Sequence, residues 1–97
     1  MSARQPTIYI VDDDQQVRES IQLLMESVGL EVASYDSAQD YLDHFSPDQH
    51  GCLILDVRMR GMSGLELQSR LRQFPSHPPI VMISAHGDVP MAVRALQ

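Results

Sequence analysis

Three short apolar runs, at Ile8 to Val11, Cys52 to Leu55 and Ile80 to Ile83, and a more polar stretch, Glu31 to Tyr35, punctuate the chain. Each has the length of a β-strand and is bounded by polar or turn-forming residues. Three of them show no alternation towards water and predict strands buried on both faces. Glu31 to Tyr35 alternates, with Val32 and Ser34 flanking Ala33, and predicts an edge strand. Between the runs the apolar spacing is helical. Behind Asp14, a suitable N-cap, Val17, Ile21, Leu24 and Val28 form one apolar stripe, and Gly29 closes the helix. Ser37 with Asp40 caps a short helix carrying Ala38, Tyr41, Leu42 and Phe45, and Pro47 to Gly51 is turn chemistry. Ser63 with Glu66 reads as a capping box opening a helix that carries Leu67, Leu71 and Phe74 and ends at Pro75. A Gly87-Asp88 loop, with Asp88 as cap, introduces a last helix.

Strand and helix thus alternate four times, which predicts an α/β fold: a doubly wound parallel sheet with right-handed crossovers and helices on both faces. In such a sheet the carboxyl ends of the strands lie together, and ligands bind along that edge. Asp12, Asp13, Asp56 and Ser84 each stand at the carboxyl end of a buried run. They are therefore expected to converge on one pocket, with Asp56, between an apolar strand and a glycine-bearing loop, at its centre.

Composition narrows the function classes. Ninety-seven residues with 43% apolar and 21% charged side chains suit one small globular domain. The net charge of −6 and the absence of lysine argue against phosphate-backbone binding by this segment, which depends on clustered basic residues. The apolar run after the polar start is too short for a membrane span or a signal-peptide core. The single cysteine, Cys52, excludes an internal disulfide, so a cytoplasmic protein is expected.

The chemistry of the expected pocket follows from its carboxylates. Crowded together they repel, and a cation relieves the repulsion. With no His or Cys among them the donors are all oxygen, which favours Mg²⁺ over Zn²⁺. Mg²⁺ accepts phosphate oxygens as further ligands, which makes a phosphoryl group the natural substrate. A carboxylate can itself take that group as an aspartyl phosphate, with Ser84 donating a hydrogen bond to the transferred oxygens.

Three stretches together, YIVDDD, LILDVRM with GMSG, and ISAHGDVPMAVRA, resemble the response-regulator receiver domain, and the third is similar to the FixJ-like, LuxR-type branch. Members of that branch join a receiver to a helix-turn-helix DNA-binding domain. The resemblance covers essentially the whole chain and implies a flavodoxin-like fold with strand order 2-1-3-4. It implies that Asp56 accepts a phosphoryl group from a sensor histidine kinase. Asp13 and Asp56 would bind Mg²⁺ directly, Asp12 through water, and the backbone carbonyl of Arg58 would complete the protein ligands. Ser84 matches the switch hydroxyl. The module would be a phosphoacceptor rather than a turnover enzyme, with DNA reached only through an output domain outside residues 1–97 and no membrane contact.

Two departures stand out. The family's lysine-proline pair follows a fifth strand, and Gln97 precedes that point; residues 1–97 are therefore expected to be a receiver incomplete at its carboxyl end, whose open fourth strand favours homodimeric or non-native association. Arg60 stands where the family motif usually carries proline, and its side chain is expected to extend into water. Other readings compete. Asp12-Asp13-Asp14 contains the D-x-D of dehalogenase-type phosphatases, with Asp12 as nucleophile, although Gln16 stands where that motif wants Ser or Thr. A flavodoxin-like cofactor binder would need a phosphate loop that three aspartates would repel, and a receiver-like interaction module that never turns over phosphate is the remaining alternative. His44, His50 and His77 show no ligand spacing, and His86 is expected to be solvated.

Overall fold

A computed structural model describes residues 5–83, and Ser84, His86 and Asp88 lie outside that range. The order of elements is β1 (Thr7–Val11), α1 (Gln15–Ser27), β2 (Glu31–Tyr35), α2 (Ala38–His44), β3 (Gly51–Asp56), α3 (Gly64–Leu71) and β4 (Ile80–Ile83). The strands form one parallel sheet in the order β2-β1-β3-β4. Ile10 stands beside both Ser34 and Ile54, and Asp56 beside Ile83. Reversal of strand order between β1 and β3 opens a crevice at their carboxyl ends.

Alternate residues of the strands face the two helical layers. Val11, Leu53, Leu55, Val57 and Met82 join Ala38 and Tyr41 of α2 and Leu67 and Leu71 of α3 in one buried cluster. Aromatic edges close its margin: the Tyr41 ring lies 5.3 Å from Tyr35 and 6.1 Å from Tyr9, and Phe45 lies 4.8 Å from Phe74. Offset and edge-on pairs of this kind add to what burial alone supplies. On the opposite face α1 packs over β1 and β2, where Ile10 is fully buried.

Three expectations need correction. The α1 stripe is Val17, Ile21 and Met25, all half-buried, whereas Leu24 and Val28 are 60% and 67% exposed. Four-residue steps hold one line down the helix, and the three-residue step to Leu24 turns away from β1 and β2, on which α1 packs. Among the described residues β3 is buried unevenly: Leu53 and Leu55 are sealed, but Cys52 and Ile54 on the other face are half-buried and Val81 beside them is exposed. Thirdly, α3 ends at Leu71, ahead of Pro75. The amides of Gln73 and Phe74 bond three residues back, to Arg70 and Leu71, so the chain tightens into a turn before the proline.

Helix starts follow their caps. Ser37 Oγ accepts from the Asp40 amide and Ser63 Oγ from the Glu66 amide, while Glu66 pairs with Arg70 at 3.2 Å. Asp14 Oδ1 accepts from the amides of Gln16 (2.9 Å) and Val17 (3.3 Å), which satisfies two first-turn donors of α1. Asp14→Ala is expected to lower stability by about 1 kcal/mol in urea unfolding. An unchanged midpoint would show the cap to be dispensable.

Candidate functional site

β1 and β3 deliver their last residues to the crevice with the backbone already held. The Asp12 amide bonds to the Tyr35 carbonyl (3.2 Å) and the Val57 amide to the Ile83 carbonyl (3.0 Å), so ladder bonding continues to the edge of the pocket. From there Asp12, Asp13 and Asp56 each direct one carboxylate oxygen into a group whose members lie within 4.8 Å of one another. Asp12 and Asp56 are 1% and 5% exposed, and Asp13 forms the outer rim. Asp14 belongs to the cap of α1 and not to this cluster.

Among the described residues, backbone amides reach the carboxylates. Asp12 Oδ1 accepts from the Asp14 amide (2.9 Å), Asp56 Oδ1 from the Arg58 amide (3.3 Å) and Asp13 Oδ2 from the Arg60 amide (3.0 Å). Asp12 Oδ2 is buried with no hydrogen-bond donor among the described residues. A buried carboxylate oxygen in that condition is costly unless a proton or a cation satisfies it. Burial, then the neighbouring charges of Asp12 and Asp13, push the Asp56 carboxyl up to about 6, against the opposing bond from the Arg58 amide. Burial likewise raises Asp12, opposed by the Asp14 amide. Both carboxyls therefore release a proton less readily than a free aspartic acid does, and an all-oxygen cluster with one unsatisfied buried atom is suited to a hard divalent ion.

The loop between β3 and α3 fits closely over the site. A Cβ built on Gly64 would lie 2.1 Å from the Asp56 carbonyl oxygen, so α3 starts directly against the end of β3. The Gly64 amide closes the contact on the Val57 carbonyl at 3.0 Å. Arg18, on α1, donates from Nη1 to the Asp12 carbonyl at 2.7 Å and steadies the other wall.

Of the residues expected in the pocket, Asp12, Asp13 and Asp56 are brought together and Ser84 falls outside the described range. The Arg60 side chain is 97% exposed, as expected, yet its Nε stands 3.9 Å from Asp13 Oδ2. Its amide bond to Asp13, and the roles of Arg18 and Gly64, carried no pattern in the sequence, because each depends on a neighbour brought near by folding. The phosphatase alternative loses its second acid, since Asp14 is engaged with α1 amides and the carboxyl partner of Asp12 is Asp56. Among the described residues no histidine joins a metal-binding group, and no helix is long and apolar enough to cross a membrane.

Two aspartates that directly follow β1 and one that ends β3 line the switch-point crevice of this parallel α/β sheet, and residues 8–97 match the family model described as the response regulator receiver domain. The chain belongs to that family. It is 47% identical to the response regulator protein TodT of Pseudomonas putida over 97 residues, which is 100% of this chain and 43% of TodT. Against the transcriptional regulatory protein FixJ of Azorhizobium caulinodans it is 44% identical over 90 residues, covering 93% of this chain and 43% of FixJ. The solved structure of response regulator StyR superposes with a TM-score of 0.86 at 53% identity, covering 96% of this chain and 47% of StyR. The chain thus spans less than half the length of these relatives, and the resemblance to the FixJ branch holds.

Proposed function

We propose that residues 1–97 are the receiver module of a two-component response regulator, in which Asp56 takes a phosphoryl group from a phosphohistidine of a sensor kinase. The observation that carries the chemistry is the buried Asp12 Oδ2, without a hydrogen-bond donor among the described residues, inside a cluster of three carboxylates. Asp13 and Asp56 would hold Mg²⁺ directly, Asp12 through water, and the Arg58 carbonyl would supply the remaining protein ligand. Mg²⁺, when bound, offsets the negative charge of the cluster and of the incoming phosphoryl oxygens. An ionised Asp56 oxygen attacks phosphorus as the P–N bond to the donor imidazole breaks. The bonding electrons leave with that ring, and a P–O bond to Asp56 replaces it.

The new dianionic group would accept a hydrogen bond from Ser84, the proposed switch hydroxyl, and reorder the adjoining segment. As a phosphoacceptor the module performs no turnover on an external substrate beyond gaining and losing this group. Membership beside FixJ, a transcriptional regulatory protein, supports a DNA-binding output carried outside residues 1–97, and a cytoplasmic setting.

Incubation of the full-length chain with acetyl phosphate and Mg²⁺, followed by mass spectrometry, is expected to place the phosphoryl group on Asp56. Asp13→Asn is expected to weaken Mg²⁺ binding tenfold or more, on the order of the loss seen when a metal's supporting groups are removed. Modification of Asp12 would favour the phosphatase chemistry, and no modification would favour an interaction module.

A further inference from the structure

We propose that Arg60 is an intrinsic counter-cation of the acidic cluster, a positioning residue that ties the β3–α3 loop to Asp13 and lowers the affinity of the pocket for a divalent ion. The inference rests on the metal-binding reading above. Its basis is a double engagement of one oxygen by one residue. Asp13 Oδ2 accepts the Arg60 amide at 3.0 Å across 47 residues of sequence, and the same oxygen lies 3.9 Å from Arg60 Nε. Of the three carboxylates Asp13 is the one open to solvent, so its outer oxygen is what an approaching hydrated cation meets first.

A cation bound to that oxygen must share it with an N–H donor or displace the donor. It must also approach a guanidinium held at the rim by its own backbone. The two effects separate by chemistry. The charge acts through water, because the side chain is 97% exposed, and salt screens it. The amide bond is short-ranged, and salt screens it much less. Arg60 thereby couples metal occupancy to the position of the loop: with the ion absent the loop is latched to Asp13, and binding loosens the latch.

The test is Mg²⁺ titration of the full-length protein by calorimetry at low and high salt. Arg60→Gln keeps the amide and removes the charge, and is expected to bind Mg²⁺ about two- to five-fold more tightly at low ionic strength, matching the range for exposed ion pairs. That gain is expected to vanish near 0.5 M salt, roughly, where the screening length is only a few ångströms. Arg60→Pro removes charge and amide together, and its affinity should exceed that of Arg60→Gln by an increment that persists in salt. Arg60→Lys should restore wild-type binding. Wild-type affinity and salt dependence in both Gln and Pro variants would overturn the proposal. Failure of the wild type to bind Mg²⁺ at all would instead overturn the metal reading beneath it, so the two failures are distinguishable.

Discussion

Asp56→Asn is expected to abolish phosphoryl uptake and, without divalent ions, to make the protein more stable than wild type at neutral pH. The gain comes from a charge that the metal-free fold does not accommodate. Burial and the charges of Asp12 and Asp13 raise the Asp56 carboxyl from 3.8 to about 6. Each pH unit of such a rise is worth about 1.4 kcal/mol, so ionising Asp56 in the fold costs about 3 kcal/mol. Its sign follows from proton binding. Between pH 4 and 6, roughly, the folded chain holds this proton and the unfolded chain has released it. Stability is therefore highest at the acidic end, falls as pH rises through about 6, and is flat above. Asparagine cannot ionise and loses this segment of the curve. Saturating Mg²⁺ offsets the same cost in the wild type and has little effect on the variant. Urea unfolding across this range, with and without Mg²⁺, measures all of it; coincident profiles for the two proteins would refute the account. Three kilocalories, roughly, is a large part of the stability of a small domain. A divalent ion bound as proposed would offset this cost.

Gly64→Ala has the second large effect expected. The added methyl would stand 2.1 Å from the Asp56 carbonyl oxygen, 3.0 Å from its carbonyl carbon and 3.1 Å from Val57 Cα. All three are backbone atoms of the central strand and its exit, which cannot move aside as a flexible side-chain tip can. The relief available is to lift α3 away from β3, which also displaces Leu67 and Leu71 from the buried cluster. Forced overpacking of this sort costs about 1–3 kcal/mol. The same displacement moves the loop carrying Arg58 and Arg60, so Mg²⁺ affinity should change together with the unfolding midpoint. A variant with the wild-type midpoint and unchanged metal binding would show that α3 is not held in place by this contact.

Much of the site was legible before folding because a parallel sheet turns sequence position into spatial position. An apolar run that ends in a carboxylate puts that carboxylate on the carboxyl edge, and two such runs, at Asp12-Asp13 and at Asp56, meet if their strands are neighbours. β1 and β3 are neighbours. Caps were equally legible, since Asp14, Ser37 and Ser63 act on amides two or three residues away. Expectations failed where the partner was distant. The α1 stripe was misread at Leu24 and Val28 because periodicity gives the apolar face of a helix but not the width of the sheet beneath it. The end of α3 was misread because Phe74 can pack on Phe45 from a turn as well as from a helix.

By itself, then, the order of apolar runs, caps and carboxylates determined the alternating α/β architecture and the identity of the acidic cluster, because these are set by period, chain direction and short-range hydrogen bonding. Tertiary structure alone decided which oxygen is left buried without a donor, how close α3 comes to Asp56, and that the Arg60 amide reaches Asp13 across 47 residues. Those are matters of a few ångströms between segments remote in sequence. Desolvation and electrostatic energy depend on that distance.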